Sequence, residues 1–498
     1  MLMGMLLLLT SCVTQKKYRE ILSKKIPPEK QRADVRLLHR ILEANHPSLY
    51  WYTPKDSMDL YFSAVTSSLQ DSLTEPQFKA KIAWLISKIR CGHTAVRSSE
   101  KYITAAESIH LPQFPLYLKA WKDSLVVLGS VLYKDTIFKR GMVITSINHI
   151  GNRELLDSMF QFISTDGYAD NFKDQAISFN FPAYYRMAFG SEHTYTIGYL
   201  DEAGSPKTVV IPEYDPAKDT LNNFSKHHKP VNEIPPLSKK ERRKAKLTNE
   251  RSFTTDTLTG TAYMQLATFS GGRLRNFFRQ SFRELKKDHT PNLMIDLREN
   301  GGGSISMCTL LSKYLSDHPI HTADTIAAIS RNFPYGRYIH PSLLYWMAMH
   351  LMSRKEKDGR YHLHRYEKHY FSPKKQLHYN GNIYLIQGGY SFSAAVMLLS
   401  NLKGQQNVTT VGEETGGGSY GNSSVHLPFI KLPNSGVQVV LPMYRVVFDH
   451  TRPKNGEGFF PDITVNPSAS AIKNDIDLKI EIVKALIAKS SGKAKILQ

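Results

Sequence analysis

Apolar residues recur at helical spacing in two stretches of the first hundred positions, "ADVRLLHRILEANHPSLYWY" (33–52) and "EPQFKAKIAWLISKIRCGHT" (75–94). Both predict amphipathic helices, the second stopped by Gly92 in Cys91-Gly92-His93-Thr94. Over residues 105–213 the period shortens to that of strands, in "FPLYLKAW", "SLVVLGSV", "TYTIGYL" and "KTVVIP". Between them "DTIFKRGMVITSINHIGNRELLDSM" reads as strand, turn and helix. This fits a small PDZ-like barrel, of the kind that adds an extended peptide to a sheet edge, or a β-domain of generic type. Residues 214–257 are rich in Lys, Pro and Asn and predict a linker. A strand–helix alternation then begins with "GTAYMQLATF", "RLRNFFRQSFRELKK" and "PNLMIDLREN", and resumes at "GNIYLIQGG", "SAAVMLLSNLKG" and "NVTTVGEE". It predicts an α/β core. The Tyr-, His-, Arg- and Lys-rich stretch 325–378 interrupts that rhythm as an insertion, and 472–490 predicts a closing helix.

A chain of 498 residues exceeds one ordinary core, so two to four domains are expected. Hydrophobic residues at 41% and charged residues at 22% predict a mostly globular chain. Its first twelve residues, "MLMGMLLLLTSC", are a processing signal rather than structure. Leu9-Thr10-Ser11-Cys12 resembles a bacterial lipobox, which implies lipid on Cys12 and a place in the cell envelope, on its periplasmic or surface side. A plain secretory signal is the alternative. The remaining cysteines, Cys91 and Cys308, make neither a disulfide framework nor a zinc spacing, and predict small buried side chains. A formal charge of +20 suits anionic surroundings. It is spread over linker and surface stretches and forms no nucleic-acid module, so no nucleic-acid partner is expected.

Candidate chemistry centres on Ile383–Leu398, "IYLIQGGYSFSAAVML". A buried strand ends in two glycines, and Ser391 and Ser393 stand where a helix begins. Either hydroxyl can cap that helix. Either can also be a nucleophile, since a helix start leaves free N–H groups and partial positive charge for an oxyanion. A second glycine loop, "DLRENGGGSIS", follows another apolar strand. It lacks the Gly-Lys-Ser/Thr of a phosphate loop. "GGGSYG" (416–421) fits a dinucleotide fingerprint in letters only, because a strand follows it.

Taken in order, "DLRENGGGS", "GGYSFSAAVMLLSNLKG", "VGEETGGGSYG" and "GEGFFPDITV" resemble the serine peptidase family of tail-specific, C-terminal-processing proteases and the tricorn core. The resemblance covers most of residues 75–470. It implies a crotonase- or ClpP-like α/β peptidase core behind a PDZ-like domain, with no cofactor and no metal, acting on peptides or unfolded proteins. It implies Ser393 as nucleophile and the amides of Gly301 or Gly302 and of Ala394 as oxyanion donors. The lysine of the tail-specific branch falls on Gly418, so the tricorn-like branch is implied, with His93 as the base. The carboxylate that orients the base falls near Asn455 and Glu457, and Glu457 is the choice; Asp462 is expected to be structural. The expected organisation is multidomain α/β: leader 1–12, helical domain 13–104, PDZ-like domain 105–213, basic linker 214–257, core 258–470 with 325–378 inserted, and C-terminal helix 471–498. The rival reading is an inactive peptidase-fold protein that binds peptides or apolar ligands.

Overall fold

The structure, a computed structural model, describes residues 15–132, 135–219 and 238–490. The leader and Cys12 lie outside them. Its centre is a six-stranded sheet in the order Arg251–Asp256, Thr261–Leu266, Asn292–Asp296, Asn382–Gln387, Val408–Gly412, Ile463–Thr464. The first pair is antiparallel and all later pairs are parallel. Strands buried on both faces explain the continuous apolar runs. Ile383 and Leu385 face one apolar cluster, and Tyr384 and Ile386 the other. The first face is covered by Leu274–Lys287, Ile305–Leu315 and Ala394–Leu402, the second by Leu478–Ser490. Helix Leu274–Lys287 buries Leu274, Phe277, Phe278, Phe282 and Leu285, a stripe at helical period.

Parallel order puts the carboxyl ends of five strands on one side, where ligands bind in open α/β sheets. A five-stranded antiparallel sheet stands over that side, in the order Arg354–Lys355, Tyr361–His362, Thr325–Ala328, Tyr444–Val447, Gly421–Ser424. The stretch read as an insertion is therefore woven into the fold through Thr325–Ala328.

The N-terminal helices have no core of their own. Helix Pro28–Asn45 buries Val35, Leu38, Ile41 and Leu42 in the same apolar cluster as Leu385 and Val396. Asp34, fully buried, accepts from the backbone and side chains of Asn434 and Ser435 and pins this helix to a turn of the core. Strand Val96–Arg97 pairs with Gln438–Val440. A second apolar cluster holds the strands Leu116–Trp121, Ser124–Ser130, Val143–Ile147, Thr194–Leu200 and Pro206–Pro212 with helices Asn152–Phe160 and Asn171–Phe189.

The stretch read as a linker is structured at its end. Lys239–Glu250 is a helix with no buried residue, opened by a capping box between Ser238 and Glu241. Arg251–Asp256, which follows it, is the edge strand of the central sheet. A helix wet on every side carries no apolar period, which is why this one reads as a linker. Cys91 and Cys308 are free and buried.

Candidate active site

The two serines after the central strand have different tasks. Ser391 is fully buried; its hydroxyl donates to the Leu297 carbonyl at 2.8 Å and accepts from the Gly388 amide at 3.1 Å. It ties two strand ends together. Ser393 is half-buried, precedes helix Ala394–Leu402, and makes no capping bond. Its backbone stands at φ 55°, ψ −116°, a region a side-chain-bearing residue enters only at a cost of roughly 1–3 kcal/mol. The turn that imposes this strain leaves the Ser393 hydroxyl at the helix mouth without a partner among the described residues.

The glycine loop packs against that turn. Gly302 has φ +102°, and a Cβ there would lie 2.6 Å from Ser393 Cβ and 3.1 Å from the Ala394 nitrogen. Only a glycine permits this approach. The Ala394 amide makes no hydrogen bond among the described residues and opens the helix, as an oxyanion donor must. The Gly302 N–H, in contrast, is donated to Asn300 Oδ1 at 2.9 Å. Of the two expected glycine donors, Gly301 is the one whose N–H is unengaged among the described residues. Asn300 organises the group: its Nδ2 donates to the Leu266 carbonyl at 3.0 Å, and its carbonyl accepts from the Phe392 amide at 3.0 Å. It therefore links the ends of three neighbouring strands.

His93 arrives from the other direction, on the turn after helix Glu75–Ser87. Gly92 lies flat against the Phe392 ring, and the His93 ring centroid is 4.8 Å from that of Phe392, the residue before Ser393. Burial without a counter-charge pushes its imidazole down to about 3. Its Nδ1 is sealed from solvent and has no partner among the described residues. No hydrogen bond joins His93 to Ser393 in this conformation, and His93 does not line the cavity at Ser393.

The carboxylate expected beside that Nδ1 is elsewhere. Glu457 is exposed, its carboxylate is held by Asn455 Nδ2, and its carbonyl accepts from Ser419 at 2.9 Å. Its orienting contact with His93 is not made, because the 455–457 turn closes on itself. Asp462 accepts from the Thr410 amide and hydroxyl, each at 2.8 Å, a purely structural tie. The buried carboxylate nearest the His93 turn is Asp166, which sequence reasoning passed over. It accepts from the Gly92 amide at 2.8 Å and the Gly418 amide at 3.4 Å. Burial pushes it up to about 7, against those two bonds. Just after it, the Gly167 amide donates to the Arg90 carbonyl and the Tyr168 amide to that of Gly456. Asp166 stands in "STDGYAD", which carries the letters of an ordinary turn.

The mouth of Ser393 opens on a cavity of about 160 Å³. Its walls include Ile305, Met397 and Phe448 from the core and Met352 and Leu363 from the 325–378 stretch.

Residues 260–465 match the model of Peptidase family S41. That stretch, the α/β core of the chain, is a Peptidase family S41 core. Family S41 makes it a serine-type peptidase, a hydrolase whose substrates are peptides or proteins. No curated protein matches. Among solved structures, mature CPAF complexed with lactacystin aligns at a TM-score of 0.63 and 13% identity, over 94% of this chain and 99% of that one. Mature CPAF alone gives a TM-score of 0.63 at 13% identity, over 95% and 99%. A putative S41 protease from Bacteroides fragilis NCTC 9343 aligns at 0.39 and 14% identity, over 92% and 98%. At these identities the likeness to CPAF is one of fold.

Proposed function

We propose that this family S41 protein is an endopeptidase in which Ser393 attacks the substrate carbonyl and His93 takes its proton. The single observation that carries the reading is the strained, uncapped Ser393 beside Gly302 and the free Ala394 amide. That geometry supports an alkoxide attack with an oxyanion forming against the helix start. His93 is neutral at physiological pH and packs one residue away, on Phe392. In this proposal the 90–94 turn closes on the hydroxyl when substrate binds, as catalytic hydrogen bonds often tighten only in the complex. The imidazole then returns the proton to the leaving amine, and water completes hydrolysis of the acyl-enzyme. Gly418 at the lysine position of the tail-specific branch favours this histidine base.

The strands over 116–212 serve, in this proposal, as a PDZ-like module that presents extended peptide to the core. The Leu9–Cys12 motif supports an anchor: lipid on Cys12 would hold the enzyme at the bacterial envelope. At Ser393 itself the rival carrier reading finds little support, since that cavity, about 160 Å³, is below the roughly 300–1,000 Å³ of ligand pockets.

Labelling with a fluorophosphonate probe tests the nucleophile. Mass spectrometry should find the adduct on Ser393 and lose it in Ser393→Ala; an adduct on Ser391 or none in the folded protein would remove the proposal. Phase partition of the expressed protein, with Cys12→Ala alongside, tests the anchor.

A further inference from the structure

The cavity behind Ser393 contains a polar group that the reaction does not use. Asn422 sits in strand Gly421–Ser424, whose backbone is paired with Tyr444–Val447, Asn422 opposite Val446. Its side chain is 2% exposed and lines the cavity, and neither Oδ1 nor Nδ2 has a hydrogen-bond partner among the described residues. Strand alternation puts Ser424 on the same side. The other walls combine apolar Ile305, Met352, Leu363, Met397 and Phe448 with the neutral hydroxyl-bearing Ser304, Ser306 and Tyr366, and among the described residues no Lys, Arg, His, Asp or Glu lines the space. A buried carboxamide with both ends unmet costs stability and is seldom left so without a reason. A hydrocarbon pocket would carry Leu or Val there.

What such a box completes with is a neutral side chain offering one acceptor and one donor on an apolar stem. Amide against amide meets both needs at once. A charged side chain would enter without a counter-ion, and a hydrocarbon one would seal the Asn422 amide away unpaired. The cavity also has the right place. Gly303, Ser393 and Ala394 line it, so a residue whose carbonyl is attacked by Ser393 would have this space for its side chain.

We propose that Asn422 is the specificity-determining residue of this site and reads a side-chain carboxamide, so that cleavage follows glutamine or asparagine. This rests on the Ser393 reading above. It assigns to the 325–378 stretch, through Met352 and Leu363, the role of closing the pocket wall.

The test uses peptides identical except for the residue before the cleaved bond: Gln, Asn, Leu or Glu. Wild type should favour Gln or Asn over Leu by about ten- to hundredfold in kcat/KM, the worth of one or two buried hydrogen bonds. Asn422→Leu, close in volume, should invert that order. A second measurement needs no bond breaking: calorimetry of Ser393→Ala with product peptides ending in Gln or Leu, with and without Asn422→Leu. A Gln-to-Leu ratio that Asn422→Leu leaves unchanged, in cleavage and in binding, overturns the proposal while Ser393-dependent cleavage keeps the peptidase reading. Gln-selective binding that depends on Asn422, with no cleavage by wild type, does the reverse. A wild-type profile led by Leu overturns it without any variant.

Discussion

Two hydroxyls two residues apart carry opposite loads. Removing the Ser391 hydroxyl leaves the buried Gly388 amide without its partner and the Leu297 carbonyl with only the Asn300 amide, so Ser391→Ala should lose roughly 1–3 kcal/mol in urea unfolding yet keep probe labelling at Ser393. Ser393→Ala should keep its stability and lose the labelling. Gly302→Ala sets a methyl against Ser393 Cβ in a left-handed backbone, and should abolish labelling while lowering the unfolding midpoint. Asn300→Ala frees the Gly302 amide but orphans the Leu266 carbonyl, and the same two assays should show lower stability and slower labelling. Of these residues, Ser393 and the glycines were legible because strand, glycine pair and helix follow one another in the letters. Asn300 was legible only as a member of the loop: its bonds to Leu266 and Phe392 reach parts of the chain that adjoin only when folded.

At the scale of elements, the His93 turn is held by a buried carboxylate. Asp166 accepts from the Gly92 and Gly418 amides, so the turn, the 165–168 segment and the loop after strand Val408–Gly412 meet at one side chain. The folded protein keeps the Asp166 proton up to about pH 7, whereas an unfolded aspartate releases it near 3.8. The folded state therefore binds the extra proton between those values, and this group's contribution to stability falls as pH rises through that window, by about 4 kcal/mol in full. Asp166→Asn should flatten the stability–pH curve between pH 4 and 7, read by urea unfolding across that range. A curve of the same slope in the variant would assign the effect to other groups. Asp166 was illegible because burial of a turn aspartate is a property of the three segments around it. Glu457 was misjudged for the same kind of reason: letter spacing placed a carboxylate near the family's position, but the 455–457 turn pairs it with Asn455.

Over the whole molecule, the elements of the proposed site come from distant stretches joined by one core. The α/β rhythm of 260–465 was legible because doubly buried strands and amphipathic helices have distinct periods. That the N-terminal helices share its apolar cluster was not, since a helix stripe does not say what it covers. A fragment beginning at 251 would expose the surface that Leu38, Ile41, Leu42 and Phe78 cover. It should show no cooperative unfolding transition by circular dichroism, whereas the full chain should show one.

The central claim is that Ser393 and His93 break peptide bonds. Its most direct measurement is mass spectrometry of an unstructured protein incubated with wild type, Ser393→Ala and His93→Ala. The account predicts fragments from wild type and a loss of about 10³-fold or more in each variant. Cleavage by Ser393→Ala at the wild-type rate would contradict it.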